Sequence, residues 1–365
     1  MKALDFRQTA DLRDWGWDER RTAEFAPLAG NGLWPARVIA QHRGLWVVVG
    51  ENGETAASPT GRFRHSANDG ALPAVGDWVG CVSSPHNGEA RIDVVLARRS
   101  TFRRKAGGPR PGAQIVAANV DTLFVVSSLN GDLNPRRLER YVAMARESGA
   151  EPVVLLTKAD LVEDACRDVA RLKTELRVSV VAISSRTGQG TESVARWFER
   201  ARTLALVGSS GVGKSTLLNR LAGAELMATR EIREDDARGR HATTHRELFL
   251  LEGGALVLDT PGMRELGLWD ADEGLDETFA EIAELAAGCR FADCSHKFEP
   301  GCAVRAAVAA GRLDAGRLKA YRRLAHESAE QPSPVQRREK DRRFCKAVRN
   351  ASAERMARKT YRDWG

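Results

Sequence analysis

The residues from Thr203 to Leu221 read T-L-A-L-V-G-S-S-G-V-G-K-S-T-L-L-N-R-L, a short apolar strand, a glycine turn and the start of a helix. Gly208, Gly213, Lys214 and Ser215 satisfy G-x-x-x-x-G-K-[ST], the phosphate-binding loop. The chemistry explains the composition. Glycines let the amides of Gly208, Ser209, Ser210, Gly211, Val212, Gly213 and the residues through Thr216 curl round an anion, and the following helix offers its N-terminus to the same charge. Lys214 would reach the β and γ phosphates, and the Ser215 hydroxyl would ligate Mg²⁺. An ordinary Gly/Ser turn would not require a strand before, a helix after and an aspartate strand downstream.

Further pieces specify guanine and hydrolysis. Asp259-Thr-Pro-Gly262 closes an apolar strand 51 residues after Gly208. There Asp259 would hold Mg²⁺ through water, and the Gly262 amide would meet the γ-phosphate. Between the two lies Gly239-Arg-His-Ala-Thr-Thr-His245, a charged loop suited to a switch. Thr243 or Thr244 would close on Mg²⁺, and the spacing does not choose between them. Upstream, Thr157-Lys-Ala-Asp160 ends another strand. The Asp160 carboxylate can accept the N1 and N2 protons of guanine, a pairing adenine cannot offer, while the stem of Lys158 lies along the ring. Ser184 and Ser185, at the end of the next strand, would present backbone amides to the guanine oxygen. The expected reaction is in-line attack of water on the γ-phosphate. Met263 follows Gly262 and cannot orient that water, so His241 or a group from a partner is expected to complete the site. Alanine at His241 should then sharply reduce partner-stimulated turnover; near-normal turnover would remove it from the mechanism.

Cys289, Cys294, His296 and Cys302 give C-x₄-C-x-H-x₅-C. Three thiolates and an imidazole can surround one structural Zn²⁺ and leave no position for water. Cys81, Cys166 and Cys345 lack such neighbours and read as plain thiols.

These residues need elements to hold them. Short β-like runs from Leu33 to Leu96 (W-P-A-R-V-I-A, G-L-W-V-V-V-G, then after a polar linker V-G-D-W-V-G-C-V and E-A-R-I-D-V-V-L) predict a small all-β barrel, with Trp34, Trp46 and Trp78 read as core rather than base-stacking platforms. Arg98–Gly112 has the composition of an exposed basic linker or of a phosphate-contacting loop. Strands and helices then alternate through Leu258, which predicts a largely parallel sheet whose ligand sits beyond the carboxyl ends of the strands. Helices through Leu285, over Ala303–Ala310 and over Leu313–His326 surround the cysteine cluster. The expected divisions are an arm over 1–29, a barrel over 30–105, an α/β domain over 106–275, and a mainly helical metal-binding domain with a basic tail over 276–365.

At 365 residues, with 29% charged and 42% hydrophobic residues, the chain is ordinary multidomain globular material. Its formal charge of +7 is concentrated at one end: residues 331–365 carry 11 Lys and Arg against 4 Asp and Glu, an excess equal to that of the whole chain. Neither a leader peptide nor a membrane-spanning run is visible, and the six cysteines suit a reducing compartment. A kinase or pump driven by ATP is disfavoured by Lys158 and Asp160 and by the lack of a second substrate signature. The remaining rival is an RNA-binding module that uses the nucleotide as a switch and hydrolyses little.

The order of the motifs is unusual: T-K-A-D, then G-S-S-G-V-G-K-S, then G-R-H-A-T-T, then D-T-P-G. In ordinary GTPases the base-reading motif comes last. From about Leu33 to the basic tail, the chain resembles the circularly permuted, ribosome small-subunit-dependent GTPase A family. The resemblance implies an N-terminal OB-fold barrel, a central GTPase domain and a C-terminal zinc domain. It also implies a monomeric, cytoplasmic GTP hydrolase, stimulated by the small ribosomal subunit, that binds GTP, GDP and rRNA late in subunit maturation. Two departures stand out. Thr157 replaces the family's usual Asn, though its hydroxyl can still bond the phosphate loop, and H-A-T-T replaces H-T-T-T, which removes Ala242 from any hydroxyl role.

Overall fold

The computed structural model describes residues 10–42, 44–66, 72–83, 89–105, 113–209, 211–222, 246–259 and 272–329. Its centre is a six-stranded sheet. Strands β8 (Thr122–Ser128), β9 (Glu151–Thr157), β10 (Ser179–Ala182), β11 (Thr203–Val207), β12 (Arg246–Leu250) and β13 (Leu256–Asp259) lie in the order β10-β9-β8-β11-β13-β12. All pairs are parallel except the β12–β13 hairpin. Burial dictates this arrangement, because β8 is buried at every position and a strand covered on both faces reads as a continuous apolar run.

Helix α3 (Pro135–Ser148) covers one face with Leu138, Tyr141, Val142 and Ala145, spaced to share one side of a helix. Its ends are fixed by local chemistry. The Asn134 side chain accepts from the Arg136 and Arg137 amides, Pro135 takes the first turn, and Gly149 closes the helix at φ +85°. Helix α4 (Ala165–Leu176) begins at an Asp164 cap, and α5 (Lys214–Ala222) follows β11.

The barrel comprises β1 (Trp34–His42), β2 (Leu45–Gly50), β3 (Gly53–Pro59), β4 (Trp78–Ser83) and β5 (Ala90–Val95), with the short α2 (Gly61–Ser66) between β3 and β4. Pairing runs β1-β2-β3-β5-β4 and back to β1, a closed five-stranded OB-fold. Trp46 and Trp78 are buried, as core positions should be. Strand β3 lies within the stretch read from sequence as a polar linker. Its G-E-T-A-A-S-P has small side chains on the buried side and gives no apolar alternation. A bulge between Val38 and Ala40 lets β1 serve two neighbours, β4 with its first half and β12 through Ala40 and Gln41. The barrel and the α/β sheet are thereby hydrogen-bonded into one eleven-stranded sheet.

Three further sequence expectations change. Residues 98–105 are no solvated linker. Arg98 pairs with the buried Asp77 at 2.7 Å, Phe102 is buried, and β6 (Thr101–Lys105) pairs with β7 (Ala113–Ala118); residues 106–112 lie outside the described residues. The arm expected over 1–29 contains α1 (Glu19–Ala29) and buries Leu12, Trp15 and Phe25 against the barrel. Within the alternating strands and helices, Glu192–Trp197 is a 3₁₀ segment rather than an α-helix.

At the C-terminal end, the single helix expected through Leu285 is two, α6 (Asp272–Thr278) and α7 (Ala280–Ala286), separated at the buried Phe279. Helices α8 (Ala303–Ala309) and α9 (Ala315–Ala329) follow. Arg317 of α9 fastens this region to the sheet domain. It pairs with Glu139 of α3 at 2.8 Å and with Glu281 of α7, and donates to the carbonyls of Glu175 and Thr278. The basic tail lies outside the described residues.

Candidate nucleotide site and metal centre

Strands β8, β9, β10, β11 and β13 are parallel, so their carboxyl ends open on one edge of the sheet. Thr157 ends β9, Ser184 follows β10, Gly208 follows β11 and Asp259 ends β13. The sequence-distant motifs therefore arrive at one edge.

The phosphate loop is shaped by backbone demands. Gly208 has φ +149°, and a Cβ there would lie 2.2 Å from the Val126 carbonyl oxygen of β8, so no other residue fits. Gly213 has φ +94° and delivers the chain into α5 at Lys214. The Lys214 ammonium donates to the carbonyls of Gly208 at 2.9 Å and Ser209 at 2.6 Å, which places the charge over the mouth of the loop. Ser215 and Thr216 lie in the first turn of α5.

Thr157 connects this loop to the base-reading segment. Its hydroxyl is buried and donates to the Val212 carbonyl at 2.6 Å, with the Ser127 carbonyl 3.3 Å away. This is the bond to the phosphate loop that the missing Asn put in question. Lys158 then adopts a left-handed conformation, φ +59°, which turns the chain into a 3₁₀ segment over Ala159–Leu161 and presents Asp160.

Asp160 Oδ1 accepts from the Ser184 hydroxyl at 2.6 Å, and Oδ2 accepts from both Arg186 Nε at 3.0 Å and Nη2 at 2.7 Å. The Ser184 bond, then the Arg186 pair, hold the carboxyl below its ordinary range, so it is an acceptor at neutral pH. Ser184 serves through its side chain. Its amide is committed to the Gln189 carbonyl at 2.9 Å, which corrects the expectation that this amide faces guanine.

Two residues escaped sequence reasoning: Arg186, on Asp160, and Arg220, which donates from α5 to the Ser185 and Arg186 carbonyls and ties the two halves of the site a second time. The signal for Arg186 was its place directly after Ser184-Ser185; Arg220 had none, because its partners are backbone atoms 34 and 35 residues away. Ser210, His241, Thr243, Thr244 and Gly262 lie outside the described residues, as does the Asp259 side chain.

The second cluster gathers Cys289, Cys294, His296 and Cys302, whose donor atoms all lie within 4.8 Å of one another. Cys289 and Cys302 sulfurs are 3.9 Å apart, and His296 Nδ1 lies 3.7 and 3.5 Å from them. A tetrahedron with Zn–S of ~2.3 Å has S···S edges of about 3.8 Å, so the donor set fits Zn²⁺. Cys302 caps α8, accepting from the Arg305 amide at 3.4 Å, so the last ligand is fixed by the helix that follows it. Cys81, by contrast, is a plain buried thiol, pushed up to about 12 by desolvation.

Fold and site together define a circularly permuted P-loop GTPase with an OB-fold barrel and a Cys₃His module. Residues 95–269 match the RsgA GTPase family. The chain is 47% identical over 329 residues to a "Small ribosomal subunit biogenesis GTPase RsgA" of Opitutus terrae, covering 87% of this chain and 90% of that protein. It is 48% identical over 307 residues to an RsgA 2 protein of Lactiplantibacillus plantarum, covering 82% and 85%. Among solved structures it is similar to YjeQ from Thermotoga maritima (25% identity, TM-score 0.59, 81% of this chain and 98% of that one) and to YloQ, described as a circularly permuted GTPase (25%, 0.56, 82% and 96%). The chain belongs to the RsgA family of GTPases.

Proposed function

We propose that this chain is a GTP hydrolase of small-ribosomal-subunit biogenesis, stimulated by the subunit and acting in the cytoplasm. The observation that carries the nucleotide reading is the Thr157–Val212 bond, which couples the guanine-reading segment to the phosphate loop. Asp160, held ionised, takes the guanine N1 and N2 protons. The amides from Gly208 to Thr216 and the Lys214 ammonium hold the phosphates and stabilise charge that develops on the γ-phosphoryl oxygens. Ser215 through its hydroxyl and Asp259 through water would hold Mg²⁺, which would supply positive charge to the phosphates. Thr243 or Thr244 and the Gly262 amide sense the γ-phosphate, and His241 or a ribosomal group orients the attacking water. A Zn²⁺ ion on the Cys₃His cluster serves structure, because four protein donors leave no open position. The barrel, this module and the basic tail meet rRNA through its phosphates.

The test is GTP hydrolysis by the purified chain alone, with small subunits and with large subunits. Strong stimulation by small subunits alone supports the proposal, and equal turnover in all three contradicts it.

A further inference from the structure

The Cys₃His segment repeats a pattern that metal binding does not require. Cys289-Arg290-Phe291 and His296-Lys297-Phe298 each place a cation and then a phenyl ring directly after a residue of the cluster. Both rings face water, Phe298 at 86% exposure and Phe291 at 41%. Among the described residues, no large apolar side chain is more exposed than Phe298.

The backbone that carries Phe298 is held in place. Glu299 Oε2 accepts from the amides of Lys297 at 2.8 Å and Phe298 at 2.9 Å, and Oε1 accepts from the Ser295 amide at 3.0 Å and from its hydroxyl. The Arg290 amide donates to the Gly301 carbonyl at 3.1 Å, so the start of the segment is tied to its end. The Arg290 guanidinium carbon lies 5.5 Å from the centroid of the Phe291 ring, within cation–π range. From Cys289 to Arg305 the exposed charged residues are Arg290, Lys297 and Arg305 against Asp293. The Glu299 carboxylate is spent on amides. The surroundings therefore favour a polyanion. They disfavour an apolar protein partner, because the core of a protein interface is depleted of charge, and here each ring has a charged residue on either side within two positions.

We propose that Phe298, with Phe291, stacks on unpaired bases of single-stranded RNA, while Lys297 and Arg290 meet the adjacent phosphates. This rests on the proposed encounter with rRNA and adds to it a contact with bases. Every base offers a flat face to an aromatic ring, so such a contact tolerates any sequence. In a duplex those faces are already stacked on one another, so the rings select strandedness.

The experiment is fluorescence anisotropy of the full chain, prepared with Zn²⁺, against a labelled single-stranded RNA of mixed sequence and against the same strand in a duplex, over a series of salt concentrations. Phe298→Ala removes a ring that already stands in water, so the fold is spared. It should weaken single-strand binding at least about fivefold, as for a lost base–aromatic stack, without changing the salt dependence. Lys297→Gln should instead lower the slope of log affinity against log salt by about 0.7, as for one lost phosphate contact. No single-strand binding by the wild type, unchanged affinity in Phe298→Ala, or an equal loss on the duplex would overturn the proposal. A variant that keeps its RNA affinity but loses binding to small subunits would assign the ring to a ribosomal protein and overturn it too. GTP hydrolysis with and without small subunits tests the proposed function separately, since its failure leaves the RNA titration readable.

Discussion

A single hydroxyl joins the end of β9 to the phosphate loop. Thr157 is buried and spends its proton on the Val212 carbonyl. Thr157→Val keeps the shape and leaves that carbonyl unsatisfied, which costs about 1–3 kcal/mol. Because the carbonyl belongs to the phosphate loop, the loss should appear in the dissociation constant for GDP measured by calorimetry as well as in the melting temperature. Arg186 acts in the other direction. Its guanidinium occupies Asp160 Oδ2, an oxygen that guanine would use in the proposed pocket, yet its side chain is 75% exposed. Exposed pairs are worth roughly 0.2–1 kcal/mol, so Arg186→Ala should tighten GDP binding up to about fivefold, readable by fluorescent-nucleotide titration. Weaker binding in that variant would show that Arg186 holds Asp160 for guanine rather than competing with it.

At the scale of elements, what could be read from sequence followed the strength of each local signal. The β11–loop–α5 unit was legible because an anion-binding turn demands glycines at fixed spacing, and Gly208 sits where even a methyl group would strike β8. The parallel strands were legible from their continuous apolar runs. Strand β3 was hidden by small side chains, and the β6–β7 pair by arginines and lysine on a strand in which Phe102 is buried. Phe279 interrupts what periodicity presents as one helix, because burying its ring under Arg317, 4.7 Å from the ring centroid, outweighs an unbroken turn. The convergence of Thr157, Asp160 and Ser184 was legible only as motif order. The contacts themselves depend on β9 and β10 lying side by side, which no local pattern states.

At the scale of the molecule, a strand pairing and an ion pair are among the joints that connect the domains. The β1–β12 pairing continues the barrel into the GTPase sheet, and Arg317 binds the helical end to α3. Glu139 is buried, and desolvation raises its carboxyl despite Arg136 and Arg317. Arg317→Met leaves it without its buried partner and should cost about 3–5 kcal/mol, measured by urea unfolding with a probe on Tyr321. A loss below ~1 kcal/mol would show that the helical end is held by apolar packing alone. The proposed function joins all of this in one pocket, in which the phosphate loop and the Asp160 carboxylate would read the same nucleotide. The most direct measurement compares affinities for GDP and IDP, which differ by the 2-amino group alone, in the wild type and in Asp160→Ala. The account predicts that the wild type prefers GDP and that the variant loses GDP affinity by roughly 10–150-fold, as for a charge-assisted bond of 1.5–3 kcal/mol, and with it the preference. A variant that keeps both would contradict it.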